Sequence, residues 1–437
     1  MSAENSATRA TTGPAETHAP GPPRPAPASH PAAPPALAAP AGPPALPALP
    51  PLHCLRRLEP GPPRLGALPT GTPVWLVSRH ADVRQVLTDP RLGRAPLYAP
   101  EAPPLTLTPN LLDNPEGMLN LDGVDHQRLR RTVQRAFTPR AIARWRPWVA
   151  SVVEALLDEL IDQGSPADII AAYTRPLPVA VISRLMGLDG LDGKRLAHWS
   201  DHALSTTAHS TESVRVAMEE FAGFGAGLIA ERRAAPGDDL VSGLLAAARE
   251  SGGITERQLV SLVIGLVVAG HETTMTMLGN ALVYLLSDGR EAWHRLASDE
   301  QSAAVATEQL LRGVPLGDGD ALPGLFRRAV EEVEIGGVVI PAGSVVAADT
   351  TTANHDPEVF TRDLLTELFS PLAAPMYTFG AGPHHCLGAW LARMELELAL
   401  HRLARRLPAL RLVGPTDSID WRRGLLTRSP NTLQVAW

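Results

Sequence analysis

Apolar residues recur at helical spacing along most of the chain, in segments separated by glycine, proline and aspartate. The longest segment follows the capping-box sequence Thr255–Gln258 and continues to about Ser287, where Asp288 and Gly289 end it. Roughly 32 residues at 1.5 Å each give a helix of about 48 Å, long enough to cross a domain. The pattern therefore predicts one long buried helix among shorter ones. The other predicted helices are His80–Thr88, Asp125–Phe137, Pro139–Gln163, Pro178–Met186, Leu191–Ala203, Ser213–Arg233, Leu240–Glu250, one that ends at Gln309–Arg312, and one from Ala389 that Pro408 ends.

Strand patterns are few and short. Thr72–Val77 is one candidate, and Glu331–Ile340 reads as a hairpin with Gly336 and Gly337 in its turn. From Arg91 to Asp125 prolines and leucines are interleaved without a period, which predicts a long loop of the kind that often carries function. The predicted fold class is mainly α with small β-sheets, an α+β protein.

The first 51 residues are dominated by proline, alanine, serine and threonine. A segment of this composition buries too little apolar surface to offset its ordering entropy, so we expect a disordered tail over residues 1–51. No later linker divides the chain, and residues 52–437 are predicted to form a single domain.

Composition narrows the class of protein. A net charge of −7 and the lack of a basic block argue against nucleic acid as a partner. Cys54 and Cys386 are the two cysteines, and their separation suggests a reducing compartment rather than a disulfide framework. The longest apolar run, Leu262–Ala269, is too short to span a bilayer, and the N-terminus lacks the apolar core of a signal peptide. We expect a soluble, cytoplasmic protein without a membrane partner.

A glycine-rich loop, Phe379–Gly388, delivers Cys386 to the start of the last predicted helix. Unpaired N–H groups at a helix N-terminus favour an anion, so we expect the thiol to be biased towards thiolate. Glycines in the loop would let a flat ligand lie against its backbone. Three interpretations of Cys386 stay open from the residues: a small buried hydrophobe, a zinc ligand with the adjacent histidines, or a thiolate ligand to haem iron.

The middle of the long helix carries the polar sequence Ala269-Gly-His-Glu-Thr-Thr274. A glycine followed by polar residues in so apolar a helix costs stability without an evident structural return. A zinc-protease interpretation fails, because Met275 stands where the second histidine of His-Glu-x-x-His should be. A core threonine that bonds its own helix remains an alternative to a catalytic Thr273.

The helix predicted over Asp125–Phe137 is basic, and His126 and Arg130 share one of its faces. Two such groups four residues apart suit a pair of carboxylates. A solvated arginine face is equally compatible with this stretch, and it would include Arg128, Arg131 and Arg135.

The pattern Phe-x-x-Gly-x-His-x-Cys-x-Gly resembles the haem-binding loop of the cytochrome P-450 superfamily, the haem-thiolate monooxygenases. Here Phe379, Gly382, His384, Cys386 and Gly388 fill it. Further motifs follow in the family's order, from about Leu65 to the C-terminus. The resemblance implies a single catalytic domain that holds haem b (iron protoporphyrin IX), with Cys386 as the axial thiolate beneath the long central helix.

The resemblance also assigns roles to residues outside the loop. Ala269-Gly-x-Glu-Thr273 matches the family's oxygen-binding groove, which implies that Thr273 bonds oxygen and that Glu272 relays protons for O–O cleavage. His126, Arg130 and Arg327 take the positions that bind haem propionates.

One family motif is altered. Gln309 occupies the glutamate position of Glu-x-x-Arg, whereas Arg312 is present. The arginine usual before the haem loop has no counterpart between Leu364 and Pro375. Glu308 lies within helical reach of Arg312, and we consider it as a substitute carboxylate.

The resemblance implies a soluble bacterial monooxygenase that inserts one oxygen atom of O₂ into a small or carrier-bound organic substrate, with a secondary metabolite as the expected substrate. Because the chain has no flavin or iron–sulfur signature, electrons would come from NAD(P)H through a separate ferredoxin reductase and ferredoxin. Oxidative coupling or rearrangement in natural-product biosynthesis is a second reading. A degenerate member that binds a partner without turnover is a third, motivated by Gln309.

Overall fold

The computed structural model describes residues 59–188, 190–287, 289–317 and 324–437, without the side chain of Ser251. These residues belong to one compact unit, Pro43–Trp437. The predicted tail over residues 1–51, Cys54 and part of the loop before Leu325 lie outside the described residues.

Helices are the main regular structure of the described chain, as the apolar pattern predicts. They are α1 (His80–Thr88), α2 (Gly123–Gln134), α3 (Pro139–Ala143), α4 (Arg146–Gln163), α5 (Pro176–Met186), α6 (Gly193–Ala203), α7 (Thr211–Ala234), α8 (Leu240–Ser251), α9 (Glu256–Ser287), α10 (Arg290–Leu296), α11 (Glu300–Gly313), α12 (Thr350–Ala353), α13 (Leu364–Glu367) and α14 (Ala389–Arg406).

The helix predicted over Pro139–Gln163 is wrong as a single element. The chain breaks between α3 and α4, and Pro147 lies in the first turn of α4. Proline has no N–H to donate and is tolerated in a first turn, so it starts a new helix where the periodicity alone suggests continuation.

Strands form two small sheets and a hairpin. They are β1 (Arg64–Ala67), β2 (Pro73–Val77), β3 (Leu92–Gly93), β4 (Ala167–Asp168), β5 (Leu325–Ala329), β6 (Val333–Ile335), β7 (Val338–Ile340), β8 (Val345–Ala348), β9 (Arg411–Leu412) and β10 (Gln434–Ala436). The larger sheet has the order β1-β2-β8-β5-β3, with β2 and β8 parallel, and the smaller has the order β4-β10-β9. The predicted hairpin is confirmed as β6 and β7, and the mainly α fold with small sheets is confirmed as a whole.

Helix α9 is the centre of the main core. It packs against α5, α7, α10 and α14, and most of its side chains are buried. It is the one helix among the described residues that is long and apolar enough to cross a membrane by length and composition, and 61% of that apolar window is buried inside the protein. Such burial is typical of a core helix.

Gly270 of α9 has a packing role that the sequence does not reveal. A Cβ at Gly270 would lie 2.7 Å from Cδ1 of Ile182, which is buried on α5. A side chain at this position would force the Ile182 side chain to shift, so Gly270 lets α5 and α9 pack closely as they stand.

Candidate functional site

The loop before α14 is held by its own backbone. The Cys386 N–H donates to the Phe379 carbonyl at 2.8 Å, and the His385 N–H donates to the Gly382 carbonyl at 3.1 Å. Gly382 has φ +67°, and a Cβ there would lie 2.7 Å from the carbonyl oxygen of Leu87 in α1. Gly382 therefore serves backbone conformation and packing against α1, which is a different reason from the ligand approach that the sequence suggests.

Gly388 fits the expected ligand approach better, because a Cβ built there would have no neighbour within 4 Å. Cys386 is accessible although it lies deep among protein atoms, so its side chain faces an internal cleft. Within the described residues no cluster of three or more histidine, cysteine or acidic side chains is suited to a metal ion. The zinc interpretation of Cys386 therefore gains no support from its surroundings.

The predicted thiolate bias of Cys386 is wrong for the protein chain alone. Burial raises the pKa of the Cys386 thiol, and the Gly388 N–H together with Arg130 and Arg393 opposes this only in part. Desolvation penalises a charged thiolate more than these groups stabilise it. A cation that binds the sulfur would supply the missing stabilisation and displace the proton.

Helix α2 lies against the cysteine loop. Arg130 donates from Nη2 to the carbonyl of His385 at 2.6 Å, next to Cys386. The His126 ring contacts the His384 ring with centroids 4.3 Å apart, and Nε2 of His384 lies 3.2 Å from Oδ1 of Asp122. The structure thus brings together the loop and both residues predicted on α2.

Two buried guanidinium groups complete this side of the cleft. Arg327 of β5 donates to the Phe326 carbonyl at 2.8 Å, and Arg94 donates to Asn120 Oδ1 at 2.6 Å. Neither guanidinium forms an ion pair with a carboxylate in the part of the chain that the structure describes. Arg94 follows β3 directly, and nothing in its local sequence distinguishes it from a surface arginine.

Basic side chains outnumber carboxylates in this cluster, and the lowered pKa values of its basic groups reflect the cost of burying positive charge. Burial, with Arg94 nearby, lowers the pKa of Arg327 to about 10. Burial, with His384 and Arg130, lowers the pKa of His126 to about 4. Asp122 is the carboxylate among them: burial acts to raise its pKa, but the bond to His384 and the N–H groups of Ala95 and Arg94 outweigh burial and lower it. Such a cluster fits a ligand that brings two further carboxylates, as the propionates of haem do.

The middle of α9 presents an accessible stripe within an otherwise buried helix. Ala269 is exposed, and Leu266, Gly270 and Thr273 are half-buried at the spacing of a single helix face. The Thr273 hydroxyl donates to the Ala269 carbonyl at 2.7 Å. In this conformation Thr273 bonds its own helix, as the alternative interpretation expects, while its side chain remains accessible.

Glu272 is buried beside this stripe in a polar network from distant parts of the chain. Its Oε1 accepts from Arg422 Nη1 at 2.5 Å and from the Thr427 hydroxyl at 3.0 Å. Arg422 also bonds Asp201 Oδ1, whose side chain is 39% exposed, and burial raises the pKa of Asp201 against the opposing effect of Arg422. Sequence reasoning missed these partners, because the loop that carries Arg422 and Thr427 has no motif.

Arg312 has a different partner from the one considered from the sequence. Glu308 pairs with Arg393 of α14, with Oε1 2.6 Å from Nε, so it is not the substitute carboxylate. Within the described residues Glu367 of α13 contacts it, with Oε2 3.5 Å from Arg312 Nη2. Gln309 accepts from Arg312 Nε at 2.8 Å.

Comparisons with known proteins agree with this geometry. The family model described as Cytochrome P450 matches residues 319–435. Nocardicin C N-oxygenase of Nocardia uniformis subsp. tsuyamanensis is 42% identical over 374 residues, which cover 85% of this chain and 91% of that protein. Mycinamicin IV hydroxylase/epoxidase of Micromonospora griseorubida is 40% identical over 370 residues, covering 84% and 91%.

Among solved structures, the crystal structure of a cytochrome P450 with biaryl coupling reactivity superposes with a TM-score of 0.76 at 35% identity. The match covers 84% of this chain and 90% of that one. Fold, cysteine loop and relatives all lead to one conclusion: the chain belongs to the cytochrome P450 family, whose members hold haem through a cysteine thiolate, and it is a bacterial haem monooxygenase of the secondary-metabolism type.

Proposed function

We propose that this monooxygenase oxygenates a small secondary metabolite, with Glu272 and Thr273 as the acid–alcohol pair that handles protons beside the haem. The single observation that carries this proposal is the accessible stripe at Thr273 next to a buried acid that is linked to an exposed one. Relatives that act on nocardicin C and mycinamicin IV support the substrate class.

Cys386 would hold the haem iron through its thiolate, and the loop backbone fixes the position of Cys386 through the Phe379 carbonyl. The resemblance implies that His126, Arg130 and Arg327 would hold the propionates, the arginines as cations and His126 as a neutral hydrogen-bonding group. His384 lies against His126, and Arg94 is an additional buried cation. When bound, haem would supply the redox chemistry that activates O₂, with Cys386 as its electron-rich thiolate ligand. Phe379 and the glycines at 382 and 388 shape the loop around this ligand.

The polar network gives protons a defined route. Asp201 is partly exposed and its pKa is raised by burial, so it can take up a proton from solvent. Arg422 joins Asp201 to Glu272, and it holds the Glu272 carboxylate away from water. Release of Glu272 from Arg422 would let it turn towards the Thr273 hydroxyl and pass a proton into the cleft.

The overall reaction consumes two electrons. NAD(P)H, O₂, a proton and the substrate give the oxygenated product, water and NAD(P)⁺. We propose a ferredoxin and its reductase as the donors, docking where α2 meets the cysteine loop. Arg131 on α2 and Arg135 directly after it are exposed, and Trp390 is 50% exposed at the start of α14. Exposed arginines around an aromatic side chain suit an acidic protein partner.

The proton roles are tested with thioanisole as the probe substrate, NADPH, and a ferredoxin with its reductase. Replacing Thr273 by valine removes the hydroxyl at nearly constant shape. We expect less sulfoxide and more hydrogen peroxide for each NADPH consumed, so that the ratio of sulfoxide to peroxide falls by about tenfold or more. Glu272→Gln should slow O₂ consumption. Thr276→Val is the matched control, because Thr276 is buried on the same helix. Equal ratios of sulfoxide to peroxide in the two valine variants would refute the role of Thr273.

The docking face has its own test, since electrostatic docking of the ferredoxin should weaken as salt is added. Turnover that is insensitive to salt would refute it.

Oxidative coupling is the second candidate, because the superposed P450 of 35% identity has biaryl coupling reactivity. Both reactions use the same haem and cysteine. Mass spectrometry of products formed under labelled oxygen separates them, since a hydroxylated product carries the label and a coupled product does not.

A further inference from the structure

Arg312 is a buried cation whose family carboxylate is missing. Its side chain is 1% exposed, and the motif position three residues earlier holds the neutral Gln309. A buried guanidinium without a counter-ion loses hydration that nothing repays. Among the described residues, Glu367 on the short helix α13 is a carboxylate that contacts Arg312, and its side chain is 15% exposed.

We propose that Glu367 is a positioning residue for the haem loop, which takes over through space the role that a glutamate at position 309 fills elsewhere in the family. The inference rests on Cys386 as the haem ligand. It assigns to this chain a carboxylate in a segment where the family pattern leads one to expect an arginine instead.

A continuous set of hydrogen bonds leads from Arg312 to the loop. Arg312 Nη1 donates to the Asn354 carbonyl at 2.9 Å. The Asn354 side chain accepts from the Tyr377 N–H at 2.7 Å and donates to the Thr378 hydroxyl at 2.8 Å, and that hydroxyl donates to the Leu311 carbonyl at 2.6 Å. The next residue, Phe379, accepts from the Cys386 N–H. We therefore expect a displacement of Arg312 to reach the cysteine loop through the Asn354 side chain, the Thr378 hydroxyl and the backbone of residues 377–379.

Gln309 makes hydrogen bonds of its own in this arrangement and is therefore more than the loss of a glutamate. Its Oε1 accepts from Arg312 Nε, and its Nε2 donates to the Ser370 carbonyl at 2.9 Å. The Ser370 N–H in turn donates to the Glu367 carbonyl at 2.7 Å, which fixes the turn that carries Glu367. A carboxylate at position 309 has no donor for Ser370. The amide of Gln309 and the carboxylate of Glu367 therefore act together on Arg312, whereas Glu308 is paired with Arg393.

The test replaces Glu367 by glutamine in the holoprotein. The readout is the rate at which the carbon monoxide complex of the reduced protein changes from the thiolate-type Soret band to the neutral-thiol type under mild warming, together with haem content. We expect conversion to be about tenfold faster, the change that follows from loss of one charge-assisted bond. Glu358→Gln is the matched control, because Glu358 is an exposed glutamate in the same segment.

Rescue separates positioning from a general loss of stability. Restoring a carboxylate in Glu367→Gln/Gln309→Glu should return the conversion rate to within about twofold of the native protein. If Glu367→Gln does not fold, recovery of a haem-loaded protein in the double variant supports the proposal. The proposal is overturned if Glu367→Gln behaves like Glu358→Gln, or if the double variant is no better than the single one. A native protein without the thiolate-type band would instead refute Cys386 as the ligand.

Discussion

His271 lies beside the proton-handling pair but has an environment of its own. It is buried on the side of α9 that contacts α6, and its Nδ1 lies 3.2 Å from the Ser200 hydroxyl. Its Nε2 has no hydrogen-bond partner within the described part of the chain. Burial lowers the pKa of His271 to about 4. A histidine of this kind is kept neutral by the fold and resists protonation.

The free energy of unfolding depends on pH through His271. The unfolded chain binds a proton at His271 below pH about 6.5, whereas the folded protein binds it only near pH 4, so the free energy of unfolding falls as the pH falls through that window. At pH 5 this one group costs about 2 kcal/mol relative to pH 7. His271→Gln should reduce the acid-induced loss by about that amount, as measured by urea unfolding at pH 7 and pH 5. Equal losses in the native protein and the variant would contradict the assignment.

At the level of residues, local motifs were predictable and distant partners were not. Cys386 is found by its loop because ten consecutive residues define that loop. Arg422 bonds Glu272 from 150 positions away, and Glu367 reaches Arg312 across 55. Their own neighbours in the sequence carry no sign of these pairings, since tertiary contact alone creates them.

Helix α13 meets the end of α11 at a glycine. A Cβ on Gly313 would lie 2.5 to 3.0 Å from three atoms of Leu364, including its Cγ. Rotation about the end of the leucine cannot relieve all three contacts. The packing of α13, which also carries Glu367, therefore depends on the absence of a side chain at Gly313.

Gly313→Ala should lower the free energy of unfolding by about 1–3 kcal/mol, the usual cost of overpacking a core. The measurement is the thermal midpoint of the holoprotein. Gly265→Ala in α9 is the matched control, because a Cβ there has no neighbour within 4 Å, and the higher helix propensity of alanine should leave it neutral or stabilised by up to about 1 kcal/mol. Leu364→Ala should restore part of the loss in Gly313→Ala. Equal midpoints for the two alanine variants would contradict this packing.

Among elements, long periodic segments were predictable and breaks were less so. The capping box at Thr255 and the apolar run behind it predict α9, and the structure places it over Glu256–Ser287. The same periodicity bridges the break between α3 and α4, because apolar spacing continues through the turn at Arg144 and Trp145. Strand β1 has no alternating pattern and exists because β2 offers it an edge.

Ion pairs link several helices on the outside of the molecule. Arg146 of α4 contacts Glu300 of α11 and Glu397 of α14, and Glu154 of α4 contacts Arg402 and Arg406 of α14. Single pairs of this exposure contribute little, but a shared network holds several side chains at a lower entropic cost for each pair. These helices flank the core behind the cysteine loop.

For the whole molecule, composition and motif order predicted the fold class and the family, because a single long central helix and one cysteine loop define the architecture. The identity of the substrate was not predictable from sequence, because its contacts are expected from loops such as Arg91–Asp125 and loop conformation depends on packing rather than on periodicity.

The central claim is that Cys386 binds haem iron as a thiolate. The most direct measurement is the absorption spectrum of the purified full chain, reduced with dithionite and exposed to carbon monoxide, with Cys386→Ser as the comparison. The account predicts a red-shifted Soret band typical of thiolate-ligated ferrous haem, which the serine variant loses. A band typical of a neutral ligand in the native protein, or the same band in both proteins, would contradict it.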